Sequence, residues 1–462
     1  MDNESIIQGV VALFQTLSAI PHPSGGEGPL GEAVARRLTA LGGLCQRDKA
    51  GNLRCDLPAT AGREGQSVLC VQGHLDMVCA VQPGSGYDPQ RDGITCMVED
   101  GFLRSDGRSS LGADDLLGVA SALWLLERGT PHGPLRLLLT VQEETGLQGA
   151  ARVPPDWLDG VAALVNVDGF SARRCVVAAA GGVRQRWARQ VSMVDCPLPA
   201  WRVTLSGYPG GHSGSDIGKG RENPLRLLAA LAAQSGGELV SLSGGQALNA
   251  IPTGGELVIS LNDPSKLEKL LASSVPAGRY ALEPLGKPAR VCAPWDGQAV
   301  LDFLLSLPLG VLGWRQDAPA VPAASTNLGT IDWRGDTVTV GLFHRASHAV
   351  VLERTANGAA LHAERCGFTK ALETAYPPWE GETDSPLARR VADCYRTVTG
   401  REMEVTAVHV GLEPAALLAG HPGLPAVSIG PTILDPHSVS ERARLEDLPD
   451  FVRVLARVIE GV

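Results

Sequence analysis

Val68-Leu69-Cys70-Val71-Gln72-Gly73-His74-Leu75-Asp76 is the stretch on which the reading of this chain turns. An apolar run of strand type ends in an imidazole and a carboxylate two residues apart. Alternate side chains of a strand share a face, so His74 and Asp76 can point the same way. One can bind a metal while the other orients it, because a histidine ligand needs an acceptor near its second ring nitrogen. Taken alone, the segment also reads as a surface turn.

The same pattern recurs along the chain. Leu111-Gly112-Ala113-Asp114-Asp115 opens a helix with two acids after two small residues. Helix capping is the ordinary role of such an Asp, but two adjacent acids exceed what a cap requires. Glu143-Glu144 closes the apolar run 135–141. Like charges at the end of a buried strand repel, which is costly without a cation or a shared proton. One of these glutamates can bind metal while its neighbour carries protons. Asp168 follows the run 162–167, and His437 follows the strand-like 426–429. Open α/β sheets place their ligands at such strand ends. Asp114, Glu144, Asp168 and a bound hydroxide would balance two divalent cations, with His74 and His437 as neutral donors. A single zinc needs only three protein ligands and would leave two acids uncompensated.

The 462-residue chain is too long for one ordinary core, so two domains are the default and three are possible. At 44% hydrophobic and 19% charged residues it is globular rather than disordered. A net charge of -10 argues against a broad basic face for nucleic acid. No Cys-x-x-Cys pair occurs among the ten cysteines, so reduced, mostly buried thiols are expected instead of a disulfide framework or a thiol metal site. Asp2 and Glu4 put acid where an export signal carries base, and Ile6, Val10, Phe14 and Leu17 recur at helical spacing. No uninterrupted apolar stretch reaches about 18 residues, so no membrane span is expected and the cytoplasm is the expected location.

Helix and strand alternate at first: helices near 5–18, 28–41 and 114–128, strands near 52–57, 66–73, 135–142 and 161–167. This predicts an α/β fold with helices on both sides of a mixed sheet. After about 186 the texture becomes α+β. Half-exposed strands are expected at 201–206, 256–261 and 337–343, a helix at 223–234, and a helix or turn at 359–366. From about 385 the α/β texture returns: helices 385–398, 412–419 and 445–460, strands 403–408 and 425–430. The expected layout is therefore a catalytic domain in two segments, 1–186 and 385–462, interrupted by an inserted lid and dimerisation domain, 187–384. An insertion explains why His437 lies so far from its partners in sequence.

With these residues in hand, the chain resembles the M20 family of metallopeptidases and, within it, the aminoacyl-histidine (Xaa-His) dipeptidase group. The resemblance rests on Gly73–Val78, Ser110–Asp115, Gln142–Leu147 and Asn166–Asp168. It continues through Gly210–Gly214, Leu248–Pro252, Ser325–Gly329, His409–Glu413 and Ser428–Thr432, leading to His437. It implies that Asp114 bridges two metals, that His74 and Asp168 complete one, and that Glu144 and His437 complete the other. It implies Glu143 as the general base, Asp76 as the partner of His74, and a cis peptide bond between Asp114 and Asp115. His212 of the lid would complete the active site, and Asn249, Arg345 and Gly411 would hold the substrate and its terminal carboxylate. Gly218, Leu116-Leu117 and Pro414-Ala415 depart from residues common in the family. These departures bear on side-chain preference, not on the reaction.

The expected activity is hydrolysis of short peptides, Xaa-His dipeptides such as carnosine among them, by a metal-bridged hydroxide with Glu143 as base. The expected cofactor is two divalent ions, zinc first, with manganese or cobalt as alternatives. Expected partners are a small peptide substrate and a second copy of the chain through the lid, with no nucleic acid and no membrane. The alternatives are an N-acyl amino-acid deacylase or tripeptide aminopeptidase on the same scaffold, or a non-catalytic metal-binding relative.

Overall fold

The computed structural model describes residues 2–286 and 290–461. The chain forms two compact units. The first is Met1–Ala179 with Trp379–Ala407 and Leu412–Val462; the second is Ala180–Pro378 with Val408–Gly411.

The first unit is built on an eight-stranded mixed sheet. Its order is Leu44–Arg47, Leu53–Leu57, Leu135–Thr140, Val68–His74, Val161–Asn166, Ala426–Ser428, Arg174–Ala179 and Glu404–Val408. The central strands are parallel: Val68–His74 pairs with Leu135–Thr140 on one side and Val161–Asn166 on the other, which in turn pairs with Ala426–Ser428. Parallel strands buried on both faces read as continuous apolar runs, and Leu135–Thr140 is buried at every position. Register sets His74 opposite Thr140 and Gln72 opposite Asn166, so the residues that follow these strands emerge at one end of the sheet.

Helix Asn3–Ser18 is capped by Asp2, whose carboxylate accepts the Ser5 amide at 2.8 Å, and it buries Ile6, Val10, Phe14 and Leu17 at helical spacing. Helix Ala113–Glu127 is buried from Ala113 to Leu126. Apolar all round, it forms the centre of the core and packs against the sheet and the helices Asn3–Ser18 and Leu448–Gly461. Truncating a side chain here, such as the fully buried Leu123, would cost about 2–5 kcal/mol. A separate four-stranded sheet, Ile433–Leu434, Arg442–Arg444, Phe102–Ser105 and Cys96–Glu99, carries the His437 loop between its first two strands.

The second unit is α+β. Its nine-stranded sheet is antiparallel, running Tyr280–Gly286, Ala200–Leu205, Gly255–Ser260, Glu238–Gly244, Pro322–Arg334, Thr337–Ala346, Gly181–Gln190 and Thr369–Tyr376, with Gly310–Trp314 on Pro322–Arg334. Helices Pro224–Ser235, Ser265–Ser274, Pro294–Ser306 and Ala349–Arg365 belong to the same unit.

Several elements differ from the sequence expectation. The segment 359–366 is the end of a longer helix, Ala349–Arg365, whose first apolar residues Ala349, Val350, Val351 and Leu352 are consecutive and mostly not buried, so they show no helical period. The expected helix 412–419 is a single turn, Pro414–Leu417, continued by a 3-10 turn to Gly420. Strand Pro322–Arg334 and helices Ser265–Ser274 and Pro294–Ser306 were not expected; their Gly, Pro and Ser content resembles loop composition. Among the described residues, no helix is long and apolar enough to cross a membrane.

Candidate metal centre

The strand ends of the first unit bring His74, Asp114, Asp168, Glu144 and His437 together. His74 Nε2 lies 3.2 Å from Asp114 Oδ1 and 3.9 Å from Asp168 Oδ1. His437 Nε2 lies 3.0 Å from Asp114 Oδ2 and 2.9 Å from Glu144 Oε1. The two carboxylate oxygens of Asp114 thus face different imidazoles. Ligand-type atoms within 4.8 Å of one another form three groups, His74–Asp114–Asp168, Asp114–Glu144–His437 and His74–Glu143–Glu144, with Asp114 common to the first two. Asp114 and Asp115 are joined by a cis peptide bond. Asp114 is itself non-helical (φ −82°, ψ 108°) and stands immediately before the regular part of its helix.

Asp76 does more than sit behind His74. His74 Nδ1 lies 2.9 Å from the Asp76 backbone carbonyl and 3.5 Å from its carboxylate. That carboxylate accepts the Glu143 amide at 2.9 Å, the Glu144 amide at 3.2 Å and the Ser24 hydroxyl at 2.7 Å. One buried acid therefore orients an imidazole and also holds the backbone turn that carries Glu143 and Glu144.

The electrostatics are unusual for a protein interior. Burial alone would depress the His74 imidazole, but the carboxylates of Asp114, Asp76 and Asp168 outweigh it and raise its pKa well above 6.5. His437 is nearly half exposed, and Asp114 and Glu144 push it up to about 11 against its partial desolvation. Asp114 is held far below the carboxylate range, because His437 and His74 overcome its burial. Burial drives Asp168 and Glu143 well upward, with neighbouring carboxylates adding to it. Among the described residues, no lysine or arginine pairs with Asp114, Glu143, Glu144 or Asp168. Crowded acids with only two imidazoles for company fit divalent cations, whose charge removes the penalty of burying so many carboxylates.

A polar network runs beneath the site. Glu413 is fully buried, and one of its oxygens accepts Gln72 Nε2 at 2.5 Å and Thr140 Oγ at 2.7 Å. Gln72 Oε1 accepts Asn166 Nδ2 at 2.8 Å, and Asn166 Oδ1 accepts the Asp168 amide at 3.2 Å. This chain crosses three parallel strands and ends on the backbone of Asp168. Burial pushes Glu413 up to about 7 against its two donors and the His74 charge. Sequence reading placed Glu413 only as the end of the motif His409–Glu413 and gave it no role at the site.

In the second unit, Arg345 is 3% exposed. Its Nη1 donates to the Tyr376 hydroxyl at 2.7 Å, its Nη2 stands 3.3 Å from His212 Nε2, and its guanidinium lies 4.2 Å from the Phe343 ring centroid. Its Nε is buried without an acceptor, and among the described residues no carboxylate pairs with it. Gly411 packs against the Tyr376 ring, where a Cβ would come within 2.8 Å of a ring carbon. Asn249 is exposed, and its carbonyl accepts the Ser213 amide at 2.8 Å beside the short ladder that pairs His212 with Ala250. His409, which sequence reading placed only in a motif, meets Ser325 Oγ at 2.7 Å.

Helix-flanked parallel strands with paired carboxylate–imidazole groups at their ends are suited to holding metal ions, and the family match makes the chain a metallopeptidase. The chain belongs to peptidase family M20/M25/M40, whose family model matches residues 70–461. It is 28% identical to the cytosol non-specific dipeptidase of Escherichia coli (strain K12), over 97% of this chain and 96% of that protein. Among solved structures it is similar to aminoacylhistidine dipeptidase from Vibrio alginolyticus, with a TM-score of 0.85, 28% identity, and coverage of 98% of this chain and 96% of that one. The fold extends to the aminopeptidase PepT of Bacillus cereus, with a TM-score of 0.62, 18% identity and coverage of 98% of each chain.

Proposed function

We propose that this metallopeptidase is a dipeptidase that holds two divalent ions, zinc first among the candidates, and cleaves short peptides including Xaa-His dipeptides such as carnosine. The observation that carries the reading is the sharing of Asp114 between two donor groups beside Glu143. His74 and Asp168 would hold one ion, Glu144 and His437 the other, and Asp114 both. Bound ions would supply Lewis acidity, polarising the scissile carbonyl and acidifying water.

The chain's own residues do the rest. Glu143 takes the proton of the attacking water and returns it to the leaving amine, a role suited to a carboxyl whose pKa lies above the ordinary range. Asp76 keeps the Glu143 amide fixed, so the base stays in place as its charge changes. In the second unit, Arg345 with Asn249 and Gly411 receives the terminal carboxylate of the substrate, and the uncompensated guanidinium supports this. His212, beside Arg345, stabilises the oxyanion, with residues 187–384 acting as lid and homodimer interface. The likeness to two dipeptidases supports the substrate class, and the likeness to a cytosolic enzyme supports a cytoplasmic location.

The test is a panel of carnosine, Ala-His, Gly-Gly, a tripeptide and N-acetyl amino acids, run on enzyme loaded with zinc, manganese or cobalt and again with chelator. Chelator-sensitive cleavage of dipeptides in preference to the others is expected. Preference for the tripeptide or the N-acetyl compounds would move the enzyme to another branch of the family. Metal binding with no cleavage anywhere would make it a binding protein.

A further inference from the structure

Helix Ala113–Glu127 is interrupted at its start: Asp114 is non-helical (φ −82°, ψ 108°), so the segment Leu111 to Asp114 leads into the continuous helix and is not its first turn. Within that segment Gly112 has φ +69°, and a Cβ there would lie 2.7 Å from Met77 Sδ and 3.4 Å from His22 Nε2. The amides of this buried segment need an acceptor from outside the helix. Glu441 supplies it. One oxygen of its carboxylate accepts the amides of Leu111 at 3.0 Å and Gly112 at 3.1 Å; the other accepts Ala113 at 2.8 Å and Asp114 at 3.4 Å. Glu441 is 3% exposed.

Glu441 is also the last residue of the loop that carries His437. That loop joins Ile433–Leu434 to Arg442–Arg444, and in it both Asp435 (φ 52°) and His437 (φ 60°) adopt left-handed backbone. Such conformations in non-glycine residues persist only where surrounding contacts hold them. The Glu441 amide bonds back to Ser438 O at 3.1 Å, so its backbone closes the loop while its side chain reaches the helix.

We propose that Glu441 is the positioning residue that sets His437 and Asp114 in register for the ion they share. This rests on the two-ion reading above. By taking the amides of Leu111 to Asp114, Glu441 fixes the backbone segment that carries the Asp114 carboxylate. The Asp114 oxygens are left to face His74 and His437, and the His437 loop is tied to the same helix end. Neither ligand segment reaches the other through its own local structure.

The test uses the full chain and three readouts: cobalt(II) titration followed by absorbance and by ion count after dialysis, amide hydrogen exchange of the metal-free protein, and its melting temperature. In Glu441→Gln, one acceptor oxygen becomes a donor facing backbone N–H groups. The variant is expected to lose affinity for one ion by about 10- to 100-fold, and to match His437→Ala in which ion is lost. Protection should fall at the amides 111–114 but not in strand Val68–His74, with the metal-free melting temperature near wild type. Wild-type ion count and affinity in Glu441→Gln would overturn the proposal, and so would loss of both ions together with protection throughout the sheet. If the variant does not fold, wild-type exchange decides: amides 111–114 must be protected to the level of the sheet core without metal, and rapid exchange there overturns it. A wild-type chain that takes up fewer than two ions would sink the two-ion reading while leaving the exchange result intact.

Discussion

His437 Nε2 lies 3.0 Å from Asp114 Oδ2, across 323 residues of sequence. The other oxygen of the same carboxylate faces His74 at 3.2 Å. One aspartate thus stands between two imidazoles that reach it from opposite ends of the first unit's sequence. A carboxylate with each oxygen committed to a different donor group is suited to bridging two cations, and the following expectations come from that arrangement.

Asp114→Asn should weaken both ions together, because both donor groups use this side chain. Asp168→Asn should weaken one ion and leave the other near wild type. Cobalt titration with ion counting separates the two. Equal, single-ion losses in both variants would refute a shared carboxylate.

Glu143→Ala should retain both ions and lower kcat by about two to four orders of magnitude. Ion content by elemental analysis and turnover on one dipeptide check it. Near-normal turnover would remove Glu143 from the role of base.

Arg345→Ala should raise KM for dipeptides by more than it lowers kcat, with metal content unchanged, since the lost grip is on the substrate carboxylate. A dipeptide amide, which lacks that carboxylate, should be hydrolysed almost equally by both enzymes. His212→Ala should instead lower kcat. An unchanged KM in Arg345→Ala would leave its buried charge with a structural role only.

The second unit should lose stability in mild acid through His344. Burial lowers this imidazole from 6.5 to about 4, where it is held neutral between Thr326 Oγ at 3.0 Å and Gln185 Oε1 at 3.1 Å. A depressed folded-state pKa means that the contribution is complete above pH 6.5 and is lost as pH falls toward 4. At pH 4.5 the loss should be about 2–3 kcal/mol relative to pH 7. Denaturant unfolding of metal-free protein at the two pH values should show a smaller difference in His344→Gln than in the parent.

Much of the first unit was legible from local pattern. The runs ending at Gln72-Gly73, Val141 and Val167 read as buried strands because parallel core strands are apolar on both faces. Their ends read as a metal site because His74, Glu143-Glu144 and Asp168 are costly there without a cation. The second unit was less legible. Helix Ser265–Ser274 buries only Leu267 and Leu271, and the first turns of Ala349–Arg365 carry little beyond Leu352 on the buried side, so periodicity was weak. Glu413 was legible only as a motif residue without a role, and Glu441 gave no signal, since an acid's partners at long range leave no trace in its neighbours.

The sequence by itself determined which side chains could bind a cation and that they stand at the ends of core strands and helices, because hydrophobic period and burial are local properties of the chain. Only the tertiary structure decided that Asp114 divides its two oxygens between His74 and His437, that Asp76 holds the Glu143–Glu144 turn, and that Glu441 holds the amides of the Asp114 segment more than three hundred residues earlier. Those pairings are made by loop closure and packing between distant segments, whose energies depend on the whole folded chain and not on any window of it.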